Sequence, residues 1–111
     1  MADHVQVMTT VDSAEQAAAL ARGIVERRLA ACAQIVGPIR SHYRWQGKVE
    51  EAEEWQLLIK TTAGRYSDVA AYLAANHGYD TPEIIAVPIV AGSAEYLGWV
   101  SAETSPADAS A

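Results

Sequence analysis

The sequence has little cysteine, few basic residues and no long apolar runs. Cys32 is the one cysteine among 111 residues, so an intrachain disulfide and a paired-thiolate metal motif are both excluded. Eight lysine and arginine residues stand against 14 aspartate and glutamate residues, a formal net charge of −6, which argues against nucleic acid or anionic membrane as a partner. Every apolar run is shorter than the roughly 18 residues of a membrane span, and the N-terminus lacks a basic segment followed by an apolar one. We therefore expect a cytoplasmic protein.

Catalytic motifs are also missing. The sequence contains no nucleophile elbow, no glycine-rich phosphate loop, no His-Glu-x-x-His and no Cys-x-x-Cys. Serine, cysteine and histidine occur, but no pattern places a nucleophile beside a base. We predict that the protein is not an enzyme.

What is present is enough apolar sequence for one domain. Half of the residues are hydrophobic, which suffices for a core at this length. We assign residues 1–101 to this domain. Residues 102–111 contain no large apolar side chain, so we expect them to form a disordered tail.

The periodicity of the sequence predicts strands where apolar residues alternate or run on, and helices where they recur at helical spacing. The predicted elements in chain order are a strand over 4–10, a helix over 12–28, a hairpin over 32–61 that reverses at 46–48, a helix over 65–76, a strand over 83–90 and a helix after Ser93. In that last helix, Tyr96, Leu97 and Val100 are expected to face inward.

Particular residues define the ends of these elements. Asp12 with Glu15 resembles a capping box at the start of the first helix. Gly78 stands where a left-handed residue commonly follows a helix. Gly37-Pro38 must interrupt the first arm of the hairpin, because proline donates no backbone hydrogen bond.

The element order is β-α-β-β-α-β plus a final helix, which indicates a ferredoxin-like α+β fold with an antiparallel sheet. Its helices would cover one sheet face and leave an apolar face that monomers rarely expose. The hairpin arm, about 13 residues or roughly 44 Å, exceeds the roughly 34 Å diameter of such a domain. We expect a homo-oligomer in which Tyr43, Trp45 and Trp55 are interface anchors, although cross-strand pairing is an alternative role for these aromatics.

Two side chains are candidate metal ligands. A neutral His77 imidazole would suit copper or zinc, although a histidine at a helix end can also stabilise the helix. The Cys32 thiolate would suit Cu(I), but a free cysteine is also a common small buried hydrophobe. The acidic residues of 50–54 could hold a cation, yet beside a hairpin turn such residues are typically solvated.

Five segments resemble the CutA family of divalent-cation tolerance proteins. They read RLAACA (28–33), YRWQGKVE (43–50), LLIKT (57–61), HGYDTPEII (77–85) and EYLGWV (95–100). The resemblance implies a ferredoxin-like homotrimer with long hairpins pairing between subunits, a role in tolerance to copper and other divalent cations, and no established catalysis. The trimer of this family is similar to that of the PII signalling proteins. This similarity implies an alternative function, the binding of a small effector in clefts between subunits.

The resemblance also singles out residues. Some bacterial members are credited with a copper site made from a cysteine late in the first strand and two adjacent histidines. This chain has Thr9 at the first of these positions and Asn76-His77 at the pair, so it retains only His77. We therefore expect copper or another divalent cation to bind weakly, or through residues of more than one chain. The residues expected at a cleft between subunits are Lys60, Tyr79 and Glu83.

Overall fold

The computed structural model describes residues 2–105. Its elements are β1 (His4–Val11), α1 (Ala14–Glu26), β2 (Cys32–Trp45), β3 (Lys48–Thr62), a 3-10 turn (Ala63–Arg65), α2 (Tyr66–Asn76), β4 (Ile85–Pro88) and α3 (Ala94–Glu103). The α+β class and the predicted order of strands and helices are confirmed.

The four strands form one antiparallel sheet in the order β2-β3-β1-β4. Because strand side chains alternate between faces, Val7 of β1 lies opposite Ile59 of β3 on the same side of the sheet. This side packs against α1 and α2, where Leu20, Ile24 and Leu73 complete a core whose side chains are at most 2% exposed. The burial of these apolar groups holds both helices on one face.

The ends of the first two helices differ in detail from the sequence prediction. Ser13 rather than Asp12 caps α1, and its hydroxyl accepts a hydrogen bond from the Gln16 N–H at 3.1 Å. α2 ends at Asn76 as predicted, but the chain leaves it through an extended His77 (φ −83°, ψ 149°). Gly78 is therefore not left-handed, and Gly47 is the one glycine with positive φ among the described residues.

The β2–β3 hairpin is the longest feature of the molecule. Its strands have 14 and 15 residues and reverse through left-handed Gln46 and Gly47, as predicted. The register shifts between Val36 and Ile39, around the Gly37-Pro38 peptide bond, which is cis. The described residues measure 47 × 29 × 21 Å with a radius of gyration of 14.7 Å, against about 13 Å for a compact chain of this length. The shape agrees with a hairpin that extends past the body.

β4 is shorter and more exposed than predicted. It covers four residues instead of 83–90, all of them exposed, and pairs only with β1. Pro88 ends it because proline cannot donate to a ladder. On the same sheet face as Val87 and Ile85, which are 39% and 46% exposed, lie Val36 and the half-buried Met8.

α3 lies partly on the sheet face that we expected to remain open. Ser93 caps it as predicted, and Val100 is buried, but Tyr96 is 40% exposed and lies against the Cys32 thiol. The helix continues two residues past the expected domain boundary, and Thr104 is 2% exposed. Residues 106–111 of the expected tail lie outside the described residues. Across 2–105, the helices are all too short or too polar to cross a membrane.

Candidate functional site

A cleft of about 860 Å³ separates the β2–β3 hairpin from the loop 78–83. The hairpin supplies aromatic and acidic side chains, and the loop supplies a tyrosine and two further carboxylates. We call it the acidic cleft, and its lining includes Tyr43, Trp45, Glu50, Glu54, Tyr79, Asp80 and Glu83.

Strand register places the hairpin side chains on one face. Tyr43 pairs directly with Glu50, and Glu54 lies four residues further along β3, so all three point to the same side. The loop reaches this face because α2 ends at Asn76 and the chain must cross the end of the sheet before β4 begins at Ile85.

A partly buried hydrogen bond joins the loop to the hairpin. The Tyr79 hydroxyl donates to Glu54 Oε2 at 2.7 Å, and Glu54 is 6% exposed. Burial, the hydrogen bond to Glu54 and the charge of that carboxylate together raise the pKa of Tyr79 well above its usual value. Tyr79 therefore stays a neutral donor and acts as an anchor for the loop.

His77 is a second anchor of the loop. Its Nδ1 accepts the Tyr79 backbone N–H at 3.1 Å, which leaves Nε2 protonated to donate to the Thr9 hydroxyl at 3.1 Å. Thr9 is fully buried. Because both ring nitrogens are used within the chain, the predicted ligand His77 has a structural role that suffices to explain it.

The other predicted ligand lies elsewhere. Cys32 sits opposite Lys60 on the paired strands β2 and β3, and the Lys60 amine donates to Gln34 Oε1. Neither Cys32 nor Lys60 lines the acidic cleft, whereas the predicted cleft residues Tyr79 and Glu83 both do. Within residues 2–105, no three His, Cys, Asp or Glu side chains are placed closely enough to hold a metal ion.

The predicted interface aromatics have different surroundings. Tyr43 and Trp45 are 43% and 48% exposed and line the cleft. Trp55 packs against the core, and its indole lies under Gly37, where an added Cβ would be 2.4 Å from Cδ1.

The role of Glu54 differs from the one predicted from the sequence. We expected the acidic run to be solvated, and Glu51 is indeed exposed, paired across the hairpin with Arg40 and His42. Glu54 is instead buried beneath the loop. The spacing of Glu50, Ala52 and Glu54 on alternate residues was the available signal, since it puts them on one strand face.

Charge is the main chemical property of the cleft. Four carboxylates line it, and the ion pairs found among the described residues involve none of them. Exposed aromatic faces adjoin them, and such faces attract cations. The arrangement suits a positively charged occupant.

The sequence and the fold both have known relatives. The family model described as CutA1 divalent ion tolerance protein matches residues 5–103. The divalent-cation tolerance protein CutA of Thermus thermophilus is 46% identical over 98 residues, covering 88% of this chain and 95% of the relative. The crystal structure of CutA from Xylella fastidiosa has a TM-score of 0.91 at 40% identity, covering 93% of this chain and 99% of that chain.

Two relatives correct the predicted location. The CutA protein of Arabidopsis thaliana, 44% identical over 88% of this chain and 54% of its own length, is named chloroplastic. A solved structure from Archaeoglobus fulgidus, with a TM-score of 0.90 at 36% identity over 92% of this chain and 99% of that chain, is described as a periplasmic CutA. Location varies among relatives, and our prediction of a cytoplasmic protein, which rested on missing signals, is wrong.

The match to the family model extends over nearly all of the described residues. Matched residues 5–103 run from the first strand to the end of α3. The family description and the name of the Thermus relative both designate a tolerance protein for divalent ions. This chain belongs to the family of CutA divalent-cation tolerance proteins.

Proposed function

We propose that this chain acts in divalent-cation tolerance as a non-catalytic homotrimer of ferredoxin-like subunits, with the acidic cleft as its binding site. The proposal rests on the four carboxylates that line this cleft. No basic side chain among the described residues forms an ion pair with any of them. Carboxylate oxygens accept divalent cations. Since one chain offers no compact group of three ligands within 2–105, we expect weak binding, completed by a neighbouring chain.

The proposed assembly is supported by the shape and the surface of the subunit. The hairpin extends from an elongated body, β2 is an edge strand, and several large apolar side chains remain exposed. Edge strands and exposed aromatics favour pairing with another chain. Sedimentation is expected to give a mass of three chains.

Calorimetric titration of the protein with Cu²⁺ tests the proposed site. Glu83→Gln keeps the shape of the side chain but removes its charge, so it should weaken the binding heat. The matched control is Glu26→Gln, which neutralises an exposed carboxylate on α1 outside the cleft and should leave that heat unchanged. A wild-type titration with no heat above buffer dilution would remove direct copper binding, and an equal loss of heat in Glu26→Gln would remove the assignment to the cleft.

A second candidate function is the binding of a small effector. The volume of the cleft falls within the roughly 300–1,000 Å³ of small-molecule sites, and Tyr43 and Trp45 offer faces for stacking. Its acidic lining repels phosphates, so we expect an effector with positive charge. In a thermal-shift assay spermidine should raise the melting temperature, since binding to the folded form stabilises it, whereas ATP should not. No shift with spermidine would argue against this function.

A further inference from the structure

Two basic side chains at the hairpin tip have no partner within residues 2–105. Arg44 and Lys48 make neither an ion pair nor a side-chain hydrogen bond there, whereas Arg40, four residues before Arg44 on β2, meets Glu51 at 3.4 Å. The unpaired carboxylates of the acidic cleft and these unpaired cations lie in the same half of the molecule. Their charges are complementary, yet they do not meet within the chain.

Arg44 is on the wrong face to reach its own cleft. Tyr43, its neighbour, pairs with Glu50 on the cleft face, while Arg44 pairs with Val49. Adjacent strand residues point to opposite faces, so the guanidinium group projects away from the cleft of its own chain. The hairpin also extends past the body, which presents Arg44 to other molecules.

We propose that Arg44 of one subunit enters the acidic cleft of the next subunit, an inference that rests on the homotrimer proposed above. Asp80 and Glu83 are exposed at the cleft, and a guanidinium group can bind a carboxylate through two parallel hydrogen bonds. Tyr43 and Trp45 line the same space, and arginine stacks on aromatic faces better than lysine does. The cleft therefore offers an arginine side chain both carboxylate partners and aromatic faces.

The contact joins two different surfaces, a hairpin tip and a cleft. Such a head-to-tail contact closes into a ring when its rotation permits, whereas a two-fold dimer needs the same patch on both partners. It therefore fits a cyclic trimer. The same guanidinium group competes with any free cation for the carboxylates, which links cation binding to the packing of the subunits.

A charge-swap experiment tests the contact. Wild type, Arg44→Glu, Glu83→Arg and the double variant are compared by sedimentation velocity over a dilution series. Arg22→Glu is the matched control, because Arg22 has a 78% exposed side chain in a surface ion pair on α1, and such pairs contribute little. Either single variant should raise the concentration of half-dissociation at least about tenfold, because each brings like charges together. The double variant should recover most of that loss, and Arg44→Lys should fall between wild type and Arg44→Glu.

The results of this experiment distinguish a wrong assembly from a wrong contact between Arg44 and the cleft. A wild-type chain that sediments as a monomer would overturn the proposed assembly together with this inference. A wild-type trimer with an Arg44→Glu variant that assembles equally well would overturn the inference alone, as would a double variant without recovery. In that case stabilisation of the trimer by spermidine would assign the cleft to a free cation.

Discussion

Removing the Tyr79 hydroxyl is the most direct perturbation of the acidic cleft. Tyr79→Phe keeps the ring beside His77, whose centroid is 5.1 Å away, and deletes only the donor to Glu54. That carboxylate is 6% exposed and would lose a hydrogen bond of 2.7 Å. Hydrogen bonds to charged groups contribute roughly 1.5–3 kcal/mol, and an unsatisfied buried acceptor retains its desolvation cost. We expect the free energy of unfolding to fall by about 2 kcal/mol.

Urea denaturation at a fixed protein concentration and pH 7 measures this loss. The midpoint should fall while the slope stays constant, because the surface exposed on unfolding barely changes. Tyr66→Phe is the control, since Tyr66 also packs against the core but its hydroxyl bonds to no described residue. A second variant, Glu54→Gln, keeps an acceptor for Tyr79, and the double variant gives the coupling between the two side chains. A decrease below about 0.5 kcal/mol in Tyr79→Phe would refute the assignment of Tyr79 as an anchor.

The pKa of Tyr79 adds an alkaline test of the same hydrogen bond. Because the folded pKa lies above the unfolded one, near 10, the native state retains the proton that the unfolded chain releases. This stabilisation is complete below pH 10 and is lost as the pH rises above it. Above pH 10 the wild type should lose up to about 1.4 kcal/mol per pH unit more than Tyr79→Phe. Parallel pH curves for the two proteins would contradict the shift.

Four further substitutions probe other parts of the fold. His77→Ala removes both of the imidazole hydrogen bonds and should cost about 1–3 kcal/mol in urea denaturation. Gly37→Ala places a Cβ 2.4 Å from the Trp55 ring, so the indole must move; we expect a cost of about 1–3 kcal/mol and a shift in tryptophan fluorescence. Ser13→Ala should cost about 1 kcal/mol by removing a helix cap, whereas Asp12→Ala should cost little, and the reverse order of these two would contradict the capping assigned to Ser13.

Local signals predicted most of the fold. Apolar spacing located both long helices, and the turn at Gln46-Gly47 located the hairpin, because each of these features depends on residues close in sequence. The cap of α1 was displaced by one residue, since Asp12 and Ser13 are both good capping residues and only the backbone geometry separates them. The short β4 could not be predicted from its apolar residues, because pairing with β1 decides where it begins and ends.

The candidate site was predicted less completely because distant contacts build it. Tyr79 and Glu83 lie in the segment that resembles the family, and the structure brings both to the cleft. Glu54 reaches Tyr79 across 25 positions and Thr9 reaches His77 across 68. No periodicity encodes such pairings. For the same reason the sequence around His77 predicts a ligand, whereas in the structure its two nitrogens bond to Thr9 and to the Tyr79 backbone.

Charge connects the site to the proposed assembly. Three chains of net charge −6 would carry −18 together, and this self-repulsion opposes association. The carboxylates of the cleft concentrate part of that charge at a single place. A cation bound there therefore reduces the repulsion that opposes trimer formation. Arg44, like Lys48, is a basic side chain at the hairpin tip that one chain can present to another without giving up an ion pair of its own within the described residues. A free divalent cation can supply the same charge, and the two occupants would then exclude each other. Tolerance to cations and the packing of subunits would in that case depend on the same carboxylates.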